Sequence, residues 1–224
     1  MGGNRFSVTA LAVLVMAAAV PAAADQAVTA AAVWHPAAGF MADFHKRCDG
    51  YRGTAFDACF AAAMAQSGAS SAALAFTKRL DNQAYLQALA PTGGPVAIAH
   101  AFYPFRANEN DAWLLVNGTP SLIDVDDQRS LPLAQMRSSP AYTDIRHHYP
   151  NVTFWPGERG RSGPEVLKNG REIIVGYLLR DLCHACAIVG RVRYAFDFDA
   201  DGKFLGTRLV SITPATKDHL GRLR

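Results

Sequence analysis

The chain is short of charge. Only 18% of its 224 residues are Asp, Glu, Lys or Arg, against about 25% in ordinary soluble domains. The two signs nearly cancel, at a formal net charge of +3. So weak a balance argues against nucleic acid or an anionic membrane surface as a partner. Long apolar runs are also missing beyond the N-terminal segment, which leaves no membrane span in the mature chain. There is no internal repeat, no Ser-His-Asp order and no defensible pair of catalytic carboxylates. The Gly-rich stretch Pro156–Pro164 is too irregular for a phosphate-binding loop or a nucleophile elbow. Cysteine is sparse, at four residues.

What the sequence does contain begins with an export signal. Arg5 precedes an apolar run from Val8 to Val20, Pro21 breaks it, and Ala22-Ala23-Ala24 offers small residues for cleavage before Asp25. The run is shorter than the about 18 to 20 residues that cross a bilayer. Residues 1–24 therefore read as a signal peptide cleaved near Ala24, and the mature chain as periplasmic or secreted. Cleavage removes Arg5, the only charged side chain of that segment, and lowers the net charge from +3 to +2.

Export governs the reading of the cysteines. In an oxidising compartment an even number of them is more often a disulfide set than a metal site. Spacing favours Cys48 with Cys59 and Cys183 with Cys186, although four cysteines allow three pairings.

Apolar periodicity divides what remains. Residues 25–91 read as a helical region. Phe40, Met41 and Phe44 mark one helix, Phe56, Cys59, Phe60 and Met64 a second with Thr54 as its cap, and Leu74, Phe76 and Leu80 a third. A short turn through Tyr85, Leu86 and Leu89 would close the region before Pro91. Thr92-Gly93-Gly94-Pro95 then reads as a linker. Residues 95–213 read as a mainly antiparallel sheet with a helical insertion near 130–149, broken at Pro140. Asn117-Gly118, Asn169-Gly170 and Asp201-Gly202 supply its turns. In its last part Val192, Tyr194, Phe196 and Phe198 alternate with Arg193, Ala195, Asp197 and Asp199. Residues 214–224 read as a flexible tail. The expected class is α+β, with an N-terminal helical hairpin region packed on or beside the sheet.

The candidate sites compete with plainer readings. Cys183-His184-Ala185-Cys186 is not a haem attachment motif, because Ala187 stands where that motif needs histidine. It lacks a following helix to lower a thiol pKa, since the next residues read as strand. Residues i and i+3 of an extended strand lie about 10 Å apart, and a disulfide needs Cα atoms within about 7 Å. If bridged, 183–186 must be a turn. Cys183, His184 and Cys186 could instead contribute to a metal site, but the sequence offers no identifiable fourth ligand. Asp197, Asp199 and Asp201 mimic the start of a calcium loop, yet Arg208 occupies its closing acidic position and a hairpin turn explains them. Asp124, Asp126 and Asp127 read as capping residues. His100, His147 and His148 read as structural. Tyr103, Phe105, Trp113 and Trp155 would form a ligand or partner surface if exposed, and core if buried.

Two functions follow as expectations. The first is an exported, soluble, non-catalytic binding or interaction protein, without cofactor, whose partner is an unidentified protein or small molecule. The second is a thiol–disulfide redox or metal-handling protein acting through residues 183–186. The enzymatic question leans to no.

Overall fold

A computed structural model describes residues 27–156 and 163–216. The expected signal peptide and most of the expected tail lie outside those residues. Three helices lead, α1 (Phe40–Cys48), α2 (Thr54–Gln66) and α3 (Ser71–Arg79). Two antiparallel sheets follow, separated by α4 (Leu133–Ser138) and α5 (Pro140–His148). The fold is α+β, with the helices at the N-terminus and one helical insertion. No helix among the described residues is long and apolar enough to cross a membrane.

Local chemistry sets most boundaries. Gly68, at φ 84°, ends α2 with a left-handed turn in which Ala69 N–H reaches back to Met64. Ser70 Oγ accepts from Ala73 N–H and caps α3. Ser139 caps α5 in the same way, with Pro140 at its first position, where a missing N–H costs nothing. Thr54 is not a cap: it is the first residue of α2, and Gly53 precedes it without a side-chain hydrogen bond. Cys48–Cys59 ties α1 to α2 with Cα atoms 6.0 Å apart. Closing that loop is worth about 3 kcal/mol against the unfolded chain.

The first sheet is a meander of β1 (Tyr85–Pro91), β2 (Ala97–Phe102), β3 (Asp111–Val116) and β4 (Leu122–Asp124). Residues 85–91 are thus strand rather than the expected helical turn. Their local composition favours helix, and pairing of Tyr85 through Pro91 with β2 overrides it. Thr92–Pro95 is accordingly a hairpin loop within one sheet, not a linker. Alternation along β2 sorts its faces. Ala97, Ala99 and Ala101 are small enough to let Phe76 and Leu80 of α3 approach closely, while Ile98 turns toward the second sheet.

The second sheet orders β5 (Val152–Trp155), β7 (Glu172–Asp181), β8 (Ile188–Phe198) and β9 (Phe204–Pro214), with β6 (Glu165–Leu167) also paired to β7. The sequence led to one sheet and the fold has two. Val192, Tyr194, Phe196 and Phe198 all point inward, as their alternation requires. They pack with Ile173, Val175, Tyr177 and Leu179 of β7, Ile98 and Leu115 of the first sheet, and Met136 and Ile145 of the helical insertion. Truncating a ring such as Phe196 in this cluster costs about 3–5 kcal/mol.

Candidate functional site

The β7–β8 connection carries two cysteines and a histidine within four residues. Where β7 ends, Cys183 N–H donates to the Asp181 carbonyl at 3.0 Å. This three-residue turn puts the intervening Leu182 at φ 74°. Such a turn is rare and strained, and left-handed backbone costs a bulky residue about 1–2 kcal/mol. Leu182 gains little burial in return, being 63% exposed. Its N–H is held by the Asn151 carbonyl at 3.1 Å.

A second turn follows at once, closed by Cys186 N–H to the Cys183 carbonyl at 3.0 Å. It brings the Cα atoms of Cys183 and Cys186 to 5.0 Å, and the two are disulfide-bonded. Residues 183–186 are therefore a turn, as bridging demands. β8 follows directly, so no helix dipole acts on either sulfur. Burial separates this disulfide from the other. Cys48 is fully buried and Cys59 packs against the helical core, whereas Cys183 is exposed and Cys186 half-buried.

Two side chains from distant parts of the chain, Trp155 and Glu109, close around the turn together with the neighbouring Arg180. Trp155, at the end of β5, meets His184 edge to face with centroids 5.6 Å apart. Glu109, in the β2–β3 loop, places Oε1 3.4 Å from His184 Nε2, at ion-pair range. That oxygen is buried and makes no hydrogen bond among the described residues. Trp155 Nε1 is also buried without a partner among the described residues. Arg180 of β7 donates to the Cys186 carbonyl. Burial lowers the Arg180 pKa, and the Glu109 carboxylate opposes that shift. One carboxylate thus lies within reach of both the His184 ring and the Arg180 guanidinium.

The loop bearing Glu109 is firmly held. Tyr103 N–H donates to the Asn110 carbonyl at 2.7 Å, and Asn110 Nδ2 donates to the carbonyls of Tyr103 and Arg106. Arg106 stacks over the Tyr103 ring. Glu109 itself sits at φ 57°. Two non-glycine residues in left-handed backbone, Glu109 and Leu182, therefore flank one exposed disulfide. Strain of this kind is retained where surrounding structure enforces it, often at functional sites.

The chain matches no protein-family model, no curated protein and no solved structure. What the site does must be argued from its own chemistry.

The other sequence candidates scatter. Tyr103 is buried, and Phe105 packs against Phe44, Phe56 and Phe60. Trp113 stacks on His100, which pairs with Asp111 at 2.7 Å. Of the four aromatic candidates, only Trp155 touches His184. His148 Nδ1 lies near the Asp144 carbonyl within α5. Asp197 pairs with Arg208, and Asp199 accepts from the Asp201 and Lys203 amides, so these two carboxylates shape the β8–β9 hairpin. Asp124 and Asp127 accept from backbone amides two residues ahead, in the capping role expected of them. Arg129 also bonds Asp127 and holds its carboxyl below the usual range.

With both sulfurs in a disulfide, Cys183 and Cys186 offer no thiolate to a metal. Among the described residues no group of three or more His, Cys, Asp or Glu is arranged to hold one. Nothing in the residue pattern points to Glu109, Arg180 or Leu182. Only the approach of the β2–β3 loop to the β7–β8 turn brings the first two together.

Proposed function

We propose that this chain is an exported protein that acts by thiol–disulfide exchange at Cys183–Cys186. This places first the reading that the residue pattern placed second. The observation that carries it is the exposed residue Cys183, presented on a strained turn and flanked by His184 and Arg180, beside an otherwise disulfide-stapled core. Export is supported by the pairing of all four cysteines, as suits an oxidising compartment, and by the composition of residues 1–24.

In the reaction, a thiolate of a partner polypeptide attacks Cys183 Sγ. A mixed disulfide forms, the Cys183–Cys186 bond breaks, and its electron pair leaves on Cys186 Sγ. A second partner thiol then displaces Cys183. Two electrons and two protons have passed from the partner dithiol to the pair, which ends as two thiols, and the partner ends as a disulfide. Arg180, already bonded to the Cys186 carbonyl, supplies positive charge near the leaving sulfur.

The test is trapping. A C186S variant, with Cys183 unpaired, should form a stable mixed disulfide with a cysteine peptide supplied as its 5-thio-2-nitrobenzoate adduct. C183S, leaving only the half-buried Cys186, should react more slowly. Equal and slow reaction of both variants would overturn the proposal.

One observation favours the alternative, a non-catalytic interaction protein. β9 is an eleven-residue strand at the end of its sheet. Arg208 is its only charged residue, and Leu205 on it is 64% exposed. Edges of this length can accept a partner strand.

A further inference from the structure

Leu182 is an apolar side chain on a backbone that suits it badly. Seven non-glycine residues among the described ones have positive φ, and four of them are Asp or Asn, which enter that region more readily than other side chains. Leu182, at φ 74°, is the only apolar one. Glycine or asparagine would relieve the backbone here. Packing gives leucine little compensation, since it is 63% exposed. The turn itself is held by main-chain hydrogen bonds, Leu182 N–H to the Asn151 carbonyl and Cys183 N–H to the Asp181 carbonyl. Neither needs a leucine side chain. What the side chain has is its place, directly before Cys183. The surface around it is also uncharged. Within residues 181–187 the exposed ones are Leu182, Cys183, Ala185 and Ala187, while Asp181 and His184 are half-buried. Arg180 is bonded to the Cys186 carbonyl, and Glu109 lies against His184.

We propose that Leu182 is a specificity-determining residue, the apolar contact that selects polypeptides whose cysteines lie among apolar side chains. The inference rests on the exchange reading above and names its substrate class. A partner whose thiolate approaches Cys183 Sγ lays the residues beside its own cysteine against Leu182, Ala185 and Ala187. Apolar neighbours take that surface out of water, which favours the encounter, and polar ones do not. Cysteine is among the most buried residue types, so a chain that has not finished folding presents cysteines in apolar company. A small hydrophilic thiol reaches the disulfide without making this contact. The strain at Leu182 is thus retained for recognition.

The experiment mixes the oxidised protein with neutral dithiol peptides of equal length, their cysteines flanked by leucine in one and by serine in the other. Peptide oxidation is followed by alkylation and mass spectrometry. Each rate is divided by the rate with dithiothreitol on the same protein, which cancels any change in the disulfide itself. Each peptide is also scaled by its own reactivity toward glutathione disulfide. The proteins are the wild type, L182N and L182M. The wild type should oxidise the leucine peptide roughly three- to tenfold faster than the serine peptide. L182N suits left-handed backbone but lacks an apolar side chain, and should bring the two rates together. L182M should keep the preference, because methionine conserves the apolar volume. No preference in the wild type, or a preference that L182N retains, overturns this inference and leaves the proposed function standing. A preference lost as fully in L182M as in L182N also overturns it, since the leucine would then be shaping the turn rather than meeting the partner. A wild-type protein that reacts with none of the three reductants overturns the proposed function itself.

Discussion

Gly118 and Gly202 meet backbone to backbone where the first sheet touches the β8–β9 hairpin. Thr119 N–H donates to the Gly202 carbonyl at 2.9 Å, and Phe204 N–H returns to the Thr119 carbonyl at 2.8 Å. A β-carbon on Gly118 would stand 2.7 Å from that same Gly202 oxygen and 3.2 Å from Val96 Cγ2. The first of these neighbours is backbone and cannot turn aside. G118A should therefore destabilise the protein by about 1–3 kcal/mol, read as a lower urea midpoint. An unchanged midpoint would mean that the two sheets are not locked at this point.

Glu172 gives the fold a defined response to acid. Its side chain is almost wholly buried and pairs with Lys168 and Arg208. The Lys168 hydrogen bond is the largest cause holding its pKa below the ordinary 4.5. A carboxylate whose pKa is lowered by folding contributes stability that is complete above the unfolded value and is lost as the pH falls toward the folded one. E172Q should cost about 1–3 kcal/mol at pH 7, and the gap to wild type should narrow as the pH drops below 4.5. Chemical denaturation from pH 3 to pH 7 checks this. A gap that stays constant across the range would contradict it.

Tyr194 invites the opposite kind of substitution. Its ring is fully buried against Tyr177 and Phe154, but its hydroxyl has no hydrogen-bond partner among the described residues. Burial accordingly pushes the phenol pKa well above its usual value. A desolvated hydroxyl without a partner costs about 1–3 kcal/mol. Y194F keeps the ring packing and removes that burden, so its thermal midpoint should equal or exceed that of the wild type. A clear loss of stability would reveal a partner for the hydroxyl.

Much of this architecture is legible in the residues. The alternation of Val192, Tyr194, Phe196 and Phe198 fixes the inner face of β8, because a strand repeats every two residues. Asp201-Gly202 and Pro140 mark breaks that only their backbone preferences allow. Cys48 and Cys59 lie on consecutive helices, so spacing favours the pairing that the structure shows. Tyr85–Pro91 is different: Leu86, Gln87, Ala88 and Leu89 carry helix-forming preferences, and only pairing with β2 makes them a strand. The division into two sheets is equally hidden, since each consists of neighbouring strands and sequence order does not mark the change. At the site, the turn at 183–186 could be deduced from the geometry of a disulfide. Leu182 could not, because leucine at the end of an apolar run reads as strand until its φ is known. Glu109 lies in a polar loop whose sequence says nothing about what it approaches.

The central claim is that Cys183–Cys186 is an exchangeable disulfide and Cys48–Cys59 a structural one. The direct measurement is the reduction potential of each pair, by differential alkylation and mass spectrometry across a glutathione series. The account predicts a value between about −120 and −230 mV for Cys183–Cys186, within the span of known exchange proteins. It predicts a value below about −300 mV for Cys48–Cys59. If Cys183–Cys186 also remained oxidised below −300 mV, it would be a structural clasp on a hairpin, and the exchange reading would fall.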